Sequence, residues 1–105
     1  MATRITAHQC EVSPPLRDRA EMLATRWPRF DPAVMDVSFV FRSQGRSHAV
    51  EAIVSRRRRQ AVVARGEGSD FRVALDQLDE HVKRILKRDR SRRKDYRHMP
   101  SSVQS

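Results

Sequence analysis

MDVSFVFR, residues 35–42, decides the fold. Met35, Val37, Phe39 and Phe41 alternate with Asp36, Ser38, Val40 and Arg42, which is the period of a strand with one buried face. Ser43-Gln44-Gly45-Arg46 then reads as a turn, and Val50, Ala52 and Val54 continue the same period on a second strand. Arg56, Arg57, Arg58 and Arg59 read as an exposed hairpin tip, with residues 61–65 as the returning strand. Like charges repel, so an all-arginine turn is tolerable only where solvent or phosphate meets it.

Working outward, the period changes to that of helices on both sides. Upstream, Leu16, Ala20, Leu23 and Trp27 fall at i, i+4, i+7 and i+11, one apolar stripe. Ser13 stands at the capping position with Pro14 and Pro15 in the first turn, and Pro28 and Pro32 end the helix near Phe30. Before it, residues 3–8 alternate as a short strand with Ile5 and Ala7 inward. Downstream, Gly66-Glu67-Gly68 is expected to break the strand and Ser69 or Asp70 to cap a helix. Phe71, Leu75, Leu78, Val82, Ile85 and Leu86 form its stripe. The order is β-α-β-β-β-α, an α+β fold: a four-stranded mixed sheet with both helices on one face.

The chain has 105 residues with 22 Lys and Arg against 13 Asp and Glu, a formal charge of +9. That length suits one domain, expected over residues 1–98 with 99–105 as a short flexible tail. The charge points to a polyanionic partner. No apolar run approaches the roughly 18 residues of a membrane span, and no secretory signal is read at the start, so a cytoplasmic protein without a membrane partner is expected. Cys10, the one cysteine, makes no internal disulfide and no thiolate zinc site.

Charge is concentrated near the end. Residues 83–98 hold nine basic residues and two acidic ones, +7 of the total +9. The apolar stripe stops at Leu86, since its next positions are Asp89 and Arg93, so the helix beyond is expected to project as a basic arm. Lys83, Lys87, Arg90 and Lys94 recur once per turn, about 5.4 Å, close to the phosphate spacing along a strand. A merely solvated face would mix in glutamate; the one-sided sign favours phosphate. Arg84 and Arg88 belong to the same run. On the first helix Arg19 and Arg26 lie seven apart and extend this surface if the helices lie side by side. No sheet motif for stacking bases is present, because Phe39 and Phe41 face inward.

Catalysis finds no foothold. His8, His48, His81 and His98 sit in four separate elements, no phosphate loop or nucleophile elbow is present, and Asp76, Asp79 and Glu80 read as compensation of the helix dipole. Trp27 reads as a packing residue. No enzyme, cofactor, metal or small-molecule substrate is expected.

These residues resemble the ribosome hibernation factors: the short hibernation-promoting factor and the ribosome-associated translation inhibitor, also called the sigma-54 modulation or subunit-interface family. Ile5-Thr6 and Glu11-Val12-Ser13-Pro14-Pro15-Leu16-Arg17 are similar to that family's first strand and helix start. Phe30-Asp31 resembles the helix exit and His48 the third strand. Glu67-Gly68-Ser69-Asp70-Phe71 with Ala74-Leu75-Asp76 and Leu78-Asp79 resembles its most recognisable stretch. The likeness covers roughly residues 3–97. It implies a non-enzymatic factor that inserts between head and platform of the small ribosomal subunit (30S or 70S particles) on 16S rRNA. There it blocks the mRNA path and the A and P sites, silencing idle ribosomes, and it is expected to be a monomer off the ribosome. Carried onto this chain, the rRNA contacts are Arg19, Arg26, Lys83, Arg84, Lys87, Arg88, Arg90 and Lys94; Arg56, Arg57, Arg58 and Arg59 are expected, from their own charge, to be an auxiliary contact that reaches only a few phosphates. Arg72 departs from the family's common Tyr, Glu80-His81 from a more basic stretch, and the arginine tip from a smaller turn. The long members' extra dimerisation domain is not expected here. Two alternatives stand beside this reading: a double-stranded-RNA module, and a regulator docking on an acidic protein such as a sigma factor.

Overall fold

The alternating run at 35–42 lies inside the sheet, hydrogen-bonded on both sides. The computed structural model describes residues 2–98, with side chains as far as Arg90. Its elements are β1 (Ala2–His8), α1 (Pro14–Arg26), a 3-10 turn (Trp27–Arg29), β2 (Val34–Gln44), β3 (Ser47–Arg56), β4 (Arg59–Gly68) and α2 (Phe71–His98). The sheet order is β1-β2-β3-β4, with β1 parallel to β2 and the other pairs antiparallel. This is the expected β-α-β-β-β-α fold.

Register explains the packing. Phe39 stands opposite Ala52, which stands opposite Ala64; Val37, Val54 and Val62 form the next row, and Phe41, Val50 and Gly66 another. Two rows pair one phenylalanine with small or branched side chains and the third is all valine, leaving room for helices on that face. Ala20, Leu23 and Ala24 of α1 and Phe71, Ala74, Leu75, Leu78, Val82 and Leu86 of α2 fill it as one cluster. Each fully buried Leu, Val or Phe contributes about 1.5–3 kcal/mol. Trp27 packs on Phe39 with ring centroids 5.6 Å apart, and Phe71 meets Phe41 edge-on at 5.2 Å. The opposite sheet face carries Val40, Ile53 and Val63 among polar residues, with Ile53 and Val63 exposed.

Several local expectations give way to tertiary structure. A register shift between Val34 and Asp36 turns Val34 inward and leaves Met35 exposed. Ala7 is exposed because β1 is an edge strand whose last residues run past the helices, while Ile5 is half-buried. α1 ends at Arg26, since Pro28 has no N–H to continue the helix, and a 3-10 turn takes over to Arg29. Ser13 caps nothing through its side chain, whereas Asp70 does: its Oδ1 accepts the Val73 N–H at 2.9 Å. Gly66 does not break β4. It is buried within it, and a side chain there would strike the Ala74 carbonyl and come within 2.6 Å of Leu78 N. Glycine is what lets α2 lie directly on the sheet.

Candidate nucleic-acid interface

α2 is inward-facing as far as Leu86, as its stripe requires, and one turn further than expected. Asp89 continues the stripe, and its side chain is only 14% exposed. Arg56 Nη1 donates to Asp89 Oδ2 at 3.0 Å and also to Asp31 Oδ2 at 3.2 Å. The helix is therefore held to the sheet through Asp89 before it continues, helical, to His98.

The four-arginine tip is corrected by the same network. Arg56 ends β3 with a side chain 6% exposed, and its Nε also donates to the Gln60 carbonyl at 2.9 Å. Arg59 opens β4 and reaches Asp31 at 3.4 Å. Asp31, fully buried, accepts the Ala33 N–H through Oδ1 at 3.0 Å. Only Arg57 and Arg58 form the exposed turn. An arginine buried between carboxylates is a structural cation, since neither partner is tolerated there alone. Sequence reading missed this network, although an aspartate at a stripe position inside a basic run was its signal.

The basic row runs along the seam between the helices. Arg26 of α1 is close enough to disfavour the charged form of Lys83, and Lys87 lies over the Phe30 ring, 5.0 Å from its centroid. Arg90 is exposed one turn on; the side chain of Lys94 lies outside the described residues. Lys83 is partly neutralised by Glu80 at 3.0 Å and Asp79 at 3.7 Å. Its hydrogen bond to Glu80, then the charge of Asp79, raises the Lys83 pKa, and that same hydrogen bond lowers the Glu80 carboxyl. Arg84 and Arg88 are exposed on the outer side of α2, away from the seam. Arg19 is not free on the α1 flank: it crosses to α2 and binds Asp76 at 2.6 Å.

Asp79 is more than dipole compensation. It is buried and accepts the Trp27 Nε1–H at 2.8 Å, which joins the end of α1 to the middle of α2. Cys10 is half-buried with its thiol toward the Phe41 carbonyl at 3.4 Å. Among the described residues no group of three His, Cys, Asp or Glu is placed to hold a metal, and no helix is long and apolar enough to cross a membrane.

The fold and this seam define a class: a small α+β domain with two helices on one sheet face and an extended, strongly basic final helix. The chain belongs to the family described as sigma 54 modulation protein / S30EA ribosomal protein, whose profile matches residues 3–94. It is similar to a ribosomal subunit interface protein from Coxiella burnetii, with a TM-score of 0.79, 20% identity, and coverage of 87% of this chain and 99% of that one. It is likewise similar to the N-terminal domain of Protein Y from Thermus thermophilus, with a TM-score of 0.73, 20% identity, and coverage of 81% and 93%. No curated protein sequence matches it.

Proposed function

We propose that this protein is a ribosome hibernation factor. It binds the small subunit through 16S rRNA near the decoding region, and excludes mRNA and tRNA from idle 30S or 70S particles. The observation that carries this is the exposed basic row on α2, seated beside α1 in a chain of the ribosomal S30EA family. Arg26, Lys83, Lys87 and Arg90 meet rRNA phosphate along the seam, Lys94 extends the row, and Arg84 and Arg88 meet it from the outer side. Arg19 contributes less, because Asp76 already holds it. The action is steric and electrostatic, without bond chemistry, by a cytoplasmic monomer. A paired first strand, parallel to β2, favours this over a double-stranded-RNA module, which leads with a helix.

The test is cell-free translation with purified protein. Yield should fall as the protein approaches ribosome concentration, and preloading ribosomes with mRNA and initiator tRNA should blunt the effect. Undiminished translation at severalfold molar excess would overturn the proposal. A complex with an acidic protein and no ribosomes would favour the regulator instead.

A further inference from the structure

At the β3–β4 turn, Pro32, Ala33, Arg57, Arg58 and Arg59 line an open hollow of about 730 Å³. Its walls are fixed to each other: the Arg57 N–H donates to the Ala33 carbonyl at 2.7 Å, and Arg59 is tied to buried Asp31. Arg56 and Arg59 have carboxylate partners, but among the described residues neither Arg57 nor Arg58 takes part in an ion pair. Both are exposed. Arg58 also holds a left-handed backbone, φ 57°, where a two-residue hairpin turn ordinarily has Gly or Asn. Arginine thus stands here against both backbone preference and the repulsion of its neighbours. Strain at an open site of one charge sign is where a binding role is worth testing.

We propose that this hollow is a phosphate-binding site in its own right, with the guanidinium groups of Arg57 and Arg58 as its ligating groups. A guanidinium presents its N–H groups as a planar fork that matches two phosphate oxygens. The backbone of the turn is already fixed, so little loop order has to be gained on binding, and the ordering cost falls on the exposed Arg57 and Arg58 side chains. The proposal does not depend on the ribosome reading: the chemistry recognised is a phosphate group, carried either on an RNA backbone or on a free polyphosphate.

The experiment follows backbone amides by NMR while the full chain is titrated with sodium tripolyphosphate and, separately, with a short RNA duplex. Saturable shifts at Ala33, Arg57, Arg58 and Arg59 are expected in at least one titration. Shifts with tripolyphosphate alone identify a mobile ligand, with RNA alone a backbone contact, and with both a general phosphate site. Arg58→Gly should weaken that binding about threefold to tenfold, yet leave Tm unchanged or raised, because glycine adopts the left-handed backbone freely. Arg46→Gln removes the same charge from the opposite hairpin turn and should change it less than about twofold. Shifts spread evenly over exposed arginines in both titrations would overturn the proposal. So would wild-type affinity in Arg58→Gly.

Discussion

Arg56 and Arg57 are neighbours in one arginine run, yet the structure gives them opposite roles. Arg56 sits between Asp31 and Asp89 with 6% of its side chain exposed, and Asp31 is fully buried. Removing one partner of a buried pair costs about 3–5 kcal/mol, a large share of the ~5–15 kcal/mol that holds a domain folded. Arg56→Gln should therefore lower the urea midpoint severely, whereas exposed Arg57→Gln should stay within about 0.5 kcal/mol of wild type. Equal midpoints would remove the structural role. Glu80 acts on affinity rather than stability. Its carboxyl is held below the ordinary 4.5 by Lys83, and Lys83 is held above 10.5 chiefly by Glu80. The pair's contribution is lost only as pH falls through the lowered Glu80 value or rises through the raised Lys83 value, so it is intact at neutral pH. Glu80→Gln should free Lys83 from the nearer of its two carboxylate partners, leaving Asp79, and steepen the salt dependence of RNA binding by at most about 0.7–0.9. An unchanged or flatter slope in filter-binding titrations would show that Lys83 does not face the RNA.

At the scale of elements, α2 carries both the packing and the charge. Replacing Lys83, Lys87, Arg90 and Lys94 together by Gln should flatten the slope of log affinity against log salt by about two to three units. That is three phosphate contacts at 0.7–0.9 each, with Lys83 already shared with Glu80 and Asp79. Stability should fall modestly, through loss of the Lys83 ion pairs and the Lys87–Phe30 contact, while the helix itself is kept, since these positions lie off the apolar stripe and Gln is a good helix former. Ribosome binding at several monovalent salt concentrations, with magnesium fixed, reads the slope; an unchanged one would leave this face to solvent. Helix–sheet contact has its own test at Gly66. Gly66→Ala pushes a methyl into the α2 backbone and should destabilise by about 1–3 kcal/mol, seen as a lower denaturation midpoint. A neutral result would mean that α2 lifts off the sheet without loss.

Across the whole molecule, what was legible in sequence was what repeats locally. The period of two in Val37, Phe39 and Phe41 and the stripe from Phe71 to Leu86 depend only on neighbours in the chain, and both hold. What depends on distant elements was not legible. Asp31, Arg56 and Asp89 stand 25 and 33 residues apart, and only the assembled fold shows that they share one network. Gly66 reads as a strand breaker until α2 is laid on it, and Met35 reads as core until the register shift is seen. The candidate site divides likewise: the run of charge is visible in the sequence, but its seating beside Arg26 and Phe30 is not. The most direct test of small-subunit binding is sedimentation of the purified protein with separated ribosomal subunits. The protein should travel with 30S and 70S particles and not with 50S, and high monovalent salt should release it. Protein that stays at the top of the gradient at low salt, or that follows 50S alone, would contradict the account.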